Sequence, residues 1–188
     1  MSTQFNYYLT PEEYLKIERQ AECKSEYVDG VMIAMAGGSE AHNLITGNIV
    51  TQLNVQLKNT PCKVYPSDMK VRVPSGRKFH YPDVSVVCGE TQFADEKRDV
   101  VLNPVLIVEV LSEGTAAYDR GKKFQFYQQI ESLQEYVLVT QDEPVVETFV
   151  RQPDASWRYT KVADMDQSVR FAAVPCRVAM QDIYAKIL

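Results

Sequence analysis

Two carboxylates and a lysine set out the chemistry available to this chain. Asp83 lies in Phe79-His80-Tyr81-Pro82-Asp83-Val84-Ser85-Val86-Val87, and Glu109 in Pro104-Val105-Leu106-Ile107-Val108-Glu109-Val110-Leu111. Both runs read as β-strands with an acid near one end. Strand ends meet water, so an acid there is commonplace. Two details argue for more. Pro82, just before Asp83, marks an edge or a strand start. Glu109 stands between valines in an apolar run, the pattern of a strand buried on both faces, and a carboxylate there needs a partner. Two carboxylates on adjacent strands can hold a divalent cation through hard oxygen ligands, which favours magnesium, with manganese as a substitute, over zinc. Lys123 follows in Tyr118-Asp119-Arg120-Gly121-Lys122-Lys123-Phe124. A helix-borne ammonium there can orient water or stabilise an anion in phosphoryl chemistry. Together these residues point to a metal-dependent nuclease core.

Each candidate has a plainer account. Lys123 stands four residues after Asp119, the spacing of an ion pair on a helix surface. Lys122, the fallback, lies about 100° round the helix. His42, in the first turn of a helix, can contact phosphate or move a proton, or it is a surface or packing residue. Lys70, Arg72, Arg77 and Lys78 gather around one hairpin; such a face contacts a phosphate backbone or, more commonly, is solvated. Tyr118 and Tyr127 stack on bases or fill the core. Gly37-Gly38-Ser39-Glu40-Ala41 has the strand-to-helix context of a nucleophile elbow, but lacks the last glycine, and His42 is too near to serve as its base.

These residues must be positioned by an α/β core of strands covered by helices. Thr10-Pro11-Glu12-Glu13 opens a helix to about Gln20, with a capping box and proline in the first turn. Asp29-Gly30 joins Ser25–Val28 to Val31–Met35 as a hairpin. Ser39 caps a second helix, in which Ile45, Ile49, Leu53 and Leu57 share one face. Strands are expected near 62–73 and 79–88, joined through Pro74-Ser75-Gly76, with a loop from Gly89 to Asp99. The Glu109 strand precedes the lysine helix, expected from about Ala117 to Ile130. Strands follow at Glu135–Thr140 and Val145–Arg151, with a turn at Gln152–Ala155 and a helix at Val178–Leu188.

A chain of 188 residues fits one domain spanning 1–188. Net charge of −5 argues against a surface coated for nucleic acid but leaves room for a local basic groove. The four cysteines, Cys23, Cys62, Cys88 and Cys176, form no C-x-x-C pair. They read as reduced thiols of a cytoplasmic protein. Two histidines further limit zinc. No signal peptide or membrane-spanning run is expected.

The order Pro82-Asp83, then Glu109-Val110-Leu111, resembles the PD-(D/E)XK nuclease superfamily. More closely, the chain resembles its Uma-two family of restriction-endonuclease-like proteins. The resemblance spans nearly the whole chain, through Tyr8–Tyr14, Ser25–Gly30, Ser39–His42, Tyr81–Val84, Glu109–Ser112 and Tyr118–Tyr127. It implies a restriction-endonuclease-like α/β fold, a central mixed β-sheet flanked by helices, with an added N-terminal helix and hairpin. It implies metal ligation by Asp83, Glu109 and the Val110 backbone carbonyl. It also makes Glu26 a recurrent acidic position, a further ligand directly or through water; otherwise Glu26 is an exposed strand residue. The superfamily's lysine should stand two residues after Glu109, where this chain has Leu111. The resemblance therefore implies a lysine moved to the following helix, best matched by Lys123. The expected activity is magnesium-dependent hydrolysis of nucleic acid, DNA above all, by a homodimer without membrane association. The alternative is an inactive DNA-binding or oligomerisation module that keeps the fold.

Overall fold

The computed structural model describes residues 8–75 and 77–187. Gly76, Leu188 and the first seven positions of the expected 1–188 domain lie outside that description.

The first elements follow the local signals. Helix α1 (Pro11–Glu18) begins at Thr10, whose Oγ1 accepts from the Glu13 N–H at 3.2 Å while its own N–H donates to Glu13 at 2.8 Å. Strands β1 (Ser25–Val28) and β2 (Val31–Ala34) meet at Asp29 and Gly30, whose φ angles of 49° and 101° suit a two-residue hairpin turn. Helix α2 (Glu40–Leu57) starts at the Ser39 cap, and Ile45, Ile49, Leu53 and Leu57 are its buried face.

The next expected strands each divide between two sheets. The first run becomes β3 (Cys62–Pro66) and β4 (Lys70–Arg72), and the second β5 (Lys78–His80) and β6 (Val84–Cys88). Both breaks fall at a proline, Pro66 and Pro82. Proline offers no N–H to continue a ladder. Beyond them come β7 (Val100–Val101) and β8 (Leu106–Val110). The lysine helix is three pieces: α3 (Ala116–Tyr118), a π-helical turn (Asp119–Lys123) and α4 (Phe124–Tyr127). It ends before the expected Ile130. Then follow β9 (Glu135–Val139), β10 (Val146–Arg151) and β11 (Trp157–Val162). The terminal helix expected from Val178 is corrected. Val178 pairs with Val169 in a hairpin of β12 (Ser168–Phe171) and β13 (Cys176–Ala179), and only α5 (Met180–Ile183) is helical.

One sheet has the order β2-β1-β5-β4-β7, the other β11-β10-β9-β8-β6-β3. The second is mixed: β8 and β9 run parallel, joined across α3, the π turn and α4, while its other pairs are antiparallel. Leu106, Val108 and Val110 of β8 pack with α2, α5 and the β12–β13 hairpin, and Ile107 and Leu111 pack with α4. A third cluster, Tyr14, Tyr27, Phe79 and Val100, seats α1 on the first sheet.

The cysteine expectation is also corrected. Cys62 and Cys88 form a disulfide, while Cys23 and Cys176 are free. The β3–β6 register sets the pair opposite one another despite a separation of 26 residues, which spacing alone does not reveal. No described helix is long and apolar enough to cross a membrane.

Candidate active site

The site begins with register. Val84 of β6 pairs with Val108 of β8, so one further step along this antiparallel ladder sets Asp83 across from Glu109. Asp83 Oδ2 accepts the Val110 N–H at 2.7 Å, and Oδ1 lies 3.2 Å from His42 Nε2 at the start of α2. In the other sheet Tyr27 pairs with Phe79, which brings Glu26 opposite His80. Glu26 Oε2 is 3.1 Å from His80 Nδ1, and Oε1 accepts the Tyr81 N–H at 3.2 Å.

Lys123 joins the two sheets. Its Nζ is 2.9 Å from Glu109, 3.2 Å from Glu26 and 3.5 Å from Asp119. The i,i+4 pair with Asp119 exists, but both residues are buried, so it is no surface pair. The π turn takes one residue more than an α turn and is a recurrent device at functional sites. Here it turns Asp119 and Lys123 inward and leaves Arg120 and Lys122 exposed. Downstream, Tyr127 is fully buried and donates to Glu109 Oε1 at 3.0 Å.

Burial alone would raise Glu26, but Lys123, His80 and the Tyr81 N–H together hold its carboxyl at about 2. Burial pushes Glu109 well up, and Asp83, Asp119 and Glu26 add to that push against the opposing pull of Lys123. Burial works against the Lys123 ammonium, yet Glu109, Glu26 and Asp119 outweigh it and keep the lysine charged. The hydrogen bond to Asp83 outweighs burial and raises His42. Burial lowers His80, whose Nε2 has no partner among the described residues.

These groups line a cavity of about 510 Å³. Its walls include Glu26, His42, Tyr81, Asp83, Glu109, Val110, Tyr118, Asp119 and Lys123, together with the apolar stretch Ile33–Ala36. Gly38 backs the histidine, because a Cβ there would lie 2.7 Å from His42 Nδ1. Asp83, Glu109, Lys123, Glu26, His42 and Val110 thus all meet in one place.

Other candidates go elsewhere. Ser39 Oγ accepts the His42 N–H and donates to Gln141, as a cap rather than an elbow nucleophile. Lys70 and Lys78 are buried, bound to Asp99 at 3.1 Å and Asp29 at 3.0 Å, so neither lysine is solvated or free for phosphate. Arg77 is exposed, and Arg72 half-buried. Leu111, where a lysine would otherwise stand, is buried in the α4 cluster. Asp119, Gly38 and His80 escaped sequence reasoning as site residues. The one available signal, the Asp29-Gly30 hairpin, carries no information about which strand β1 meets.

Among the described residues no three His, Cys, Asp or Glu side chains are already gathered as a metal cage. The donor chemistry nonetheless fits a hard divalent cation: Asp83, Glu109, Glu26 and Val110 line one cavity and offer carboxylate and carbonyl oxygens.

A mixed sheet with an acidic pair across adjoining strands, and a lysine on the crossover helix, describes a restriction-endonuclease-like protein. A crystal structure described as a "putative nuclease belonging to DUF820", from Anabaena variabilis, matches with a TM-score of 0.76 at 19% identity, over 96% of this chain and 99% of that one. At that identity the likeness establishes the fold. The chain belongs to the Uma2 family, described as "Putative restriction endonuclease", whose sequence model matches residues 11–180. Two uncharacterized proteins of Synechocystis are similar, each 37% identical. One aligns over 164 residues, 87% of this chain and 93% of its own length. The other aligns over 154 residues, 79% and 77% respectively.

Proposed function

We propose that this chain is a metal-dependent endonuclease that hydrolyses phosphodiester bonds in nucleic acid, with DNA as substrate. One observation carries the reading: Asp83 and Glu109 face one cavity from adjoining strands, with Lys123 Nζ 2.9 Å from Glu109. Asp83, Glu109 and the Val110 backbone carbonyl would hold magnesium or manganese, with Glu26 a further ligand directly or through water. A metal held there supplies Lewis-acid polarisation of the phosphate and a more acidic water. Lys123, kept charged by its three acids, offsets negative charge building on the phosphate. Glu26 and Asp119 aim that ammonium. His42 Nε2, beside Asp83, is placed to hold or pass a proton. In this reading residues 1–188 form one nuclease domain acting as a dimer, since duplex cutting by a one-site domain asks for two copies.

The inactive-module reading draws on Leu111, packed in the core where a lysine would otherwise stand. Against it stands the charge count. Glu26, Glu109 and Asp119 close on Lys123, with Asp83 bound to His42 beside them, a crowding of buried acids that pushes Glu109 well up and that a further cation would relieve. The deciding experiment incubates single- and double-stranded DNA and RNA with magnesium or manganese, comparing wild type with Glu109→Ala. Metal-dependent products from wild type alone support the reading. Equal products from both proteins, or none from either while manganese still binds, would overturn cleavage at this site.

A further inference from the structure

The buried side-chain polar atoms without a hydrogen-bond partner, among the described residues, belong to Glu18, Thr46, His80, Ser85, Tyr118 and Glu135. Of these, Tyr118 alone lines the site cavity. A buried hydroxyl left unpaired costs folding free energy, so one kept inside a site calls for a use. Burial first, and then Glu26, push the Tyr118 phenol up to about 12, with Asp119 and Glu109 adding to the effect. At neutral pH it is therefore an O–H donor set among carboxylates.

Those carboxylates are already engaged. Glu26 accepts from Tyr81 and contacts His80 and Lys123, and Glu109 takes Tyr127 and Lys123. An ammonium has three N–H donors, and Lys123 spends its contacts on Glu109, Glu26 and Asp119. In this state none is left for a phosphate. For Lys123 to serve the reaction it must release one acid, and the acid released must find another donor. Tyr118 immediately precedes the π turn that carries Asp119 and Lys123 and lines the same cavity as Glu26 and Lys123, and Glu26 is the charge that acts most strongly on its phenol.

We propose that Tyr118 is a positioning residue: once the site carboxylates take a divalent cation, its hydroxyl donates to Glu26 in the place Lys123 gives up, freeing an ammonium N–H for the scissile phosphate. The inference rests on the metal-dependent reading above. The exchange replaces N–H···O with O–H···O, and no proton changes owner.

The test is Tyr118→Phe in the full chain, which removes the hydroxyl and keeps the ring. Thermal melts are recorded without metal and with manganese, and kcat and KM are measured on an oligonucleotide that the wild type cuts. Without metal the variant should melt at the same temperature or higher, since an unpaired donor has gone. Its manganese-induced rise should be smaller than that of wild type. Turnover should fall by about ten- to a hundredfold with KM little changed, the scale of losing one outer-shell positioning partner. An identical manganese-induced rise and identical kcat would overturn the inference, as would a clear drop in the metal-free melting temperature. A wild type that shows neither manganese-induced stabilisation nor cleavage overturns the metal-site reading itself, and this inference with it.

Discussion

Neighbouring strands β8 and β9 each bury one glutamate, and the two live differently. Glu109 is 4% exposed and Glu135 0%. Glu109 meets an ammonium, a phenol and the edge of a cavity. Glu135 Oε2 accepts the Ala172 and Ala173 N–H groups at 2.6 and 2.9 Å, its Oε1 has no partner among the described residues, and burial raises it to about 7. Glu135 is a tie: it fastens β9 to the turn between β12 and β13. A buried acid in an apolar strand therefore does not by itself make a site. What sets Glu109 apart is company, other charges from several elements, and an opening through which a ligand can reach it.

Substitution separates a site from a tie. The largest effect should come from Asp83→Asn and Glu109→Gln, each removing the charge of a proposed metal ligand while keeping shape. Metal-dependent cleavage should fall on the order of a thousandfold or more, while metal-free melts stay level or rise as carboxylate repulsion is relieved. A large loss of stability in both variants would make Glu109 a tie like Glu135. Lys123→Met should lower turnover about a hundredfold. It should also destabilise the metal-free protein by about 3–5 kcal/mol, because buried acids lose their shared cation, and added manganese should restore part of that loss.

Glu135→Gln is the matched control. The folded-state value, about 7 against an ordinary 4.5, is raised by burial. Between those values the unfolded chain has given up a proton that the folded chain keeps, so stability falls as pH rises through the window. Glutamine should then stabilise the protein by about 3 kcal/mol at pH 8 and by little at pH 4, with cleavage unchanged. Denaturant melts at both pH values read this directly; a pH-independent difference would refute it. The smallest effect should be that of Asp119→Asn. Its contact with Lys123, at 3.5 Å, is the longest of the three, and turnover should stay within a few-fold of wild type. A loss equal to that of Lys123→Met would assign the effect to helix integrity.

Sequence made Glu109 legible because an acid between valines is conspicuous, and Asp83 because Pro82 marks it. It could not distinguish Glu135, which stands at the head of its strand after Leu133-Gln134, where an acid ordinarily meets water. Its burial comes from the β12–β13 turn folding over it, a contact with residues 37 and 38 positions away. The α2 face was plain from its four-residue repeat. The two strand runs that change sheets were not, since periodicity shows which side a residue faces but not which partner strand it meets. The same blindness hid the Glu26–His80 pairing and the Cys62–Cys88 bridge. The β12–β13 hairpin was misread because Val178-Ala179-Met180 suits helix or strand, and pairing with Val169 decided it.

The π turn has a further consequence for how this chain can change. At its first residue, Asp119 is fixed by the site; downstream, Phe124 stacks on Tyr136 with ring centroids 5.0 Å apart, and Tyr127 holds Glu109. Between these two anchorages the π turn holds one residue more per turn than an α-helix would. Single-residue deletion at Gly121 would therefore not merely shorten a loop. It would wind the segment tighter and set the two halves at odds, so that either the aromatic packing or the aim of Lys123 must yield. Point substitutions along the helix can be graded one by one, but its length is all or nothing.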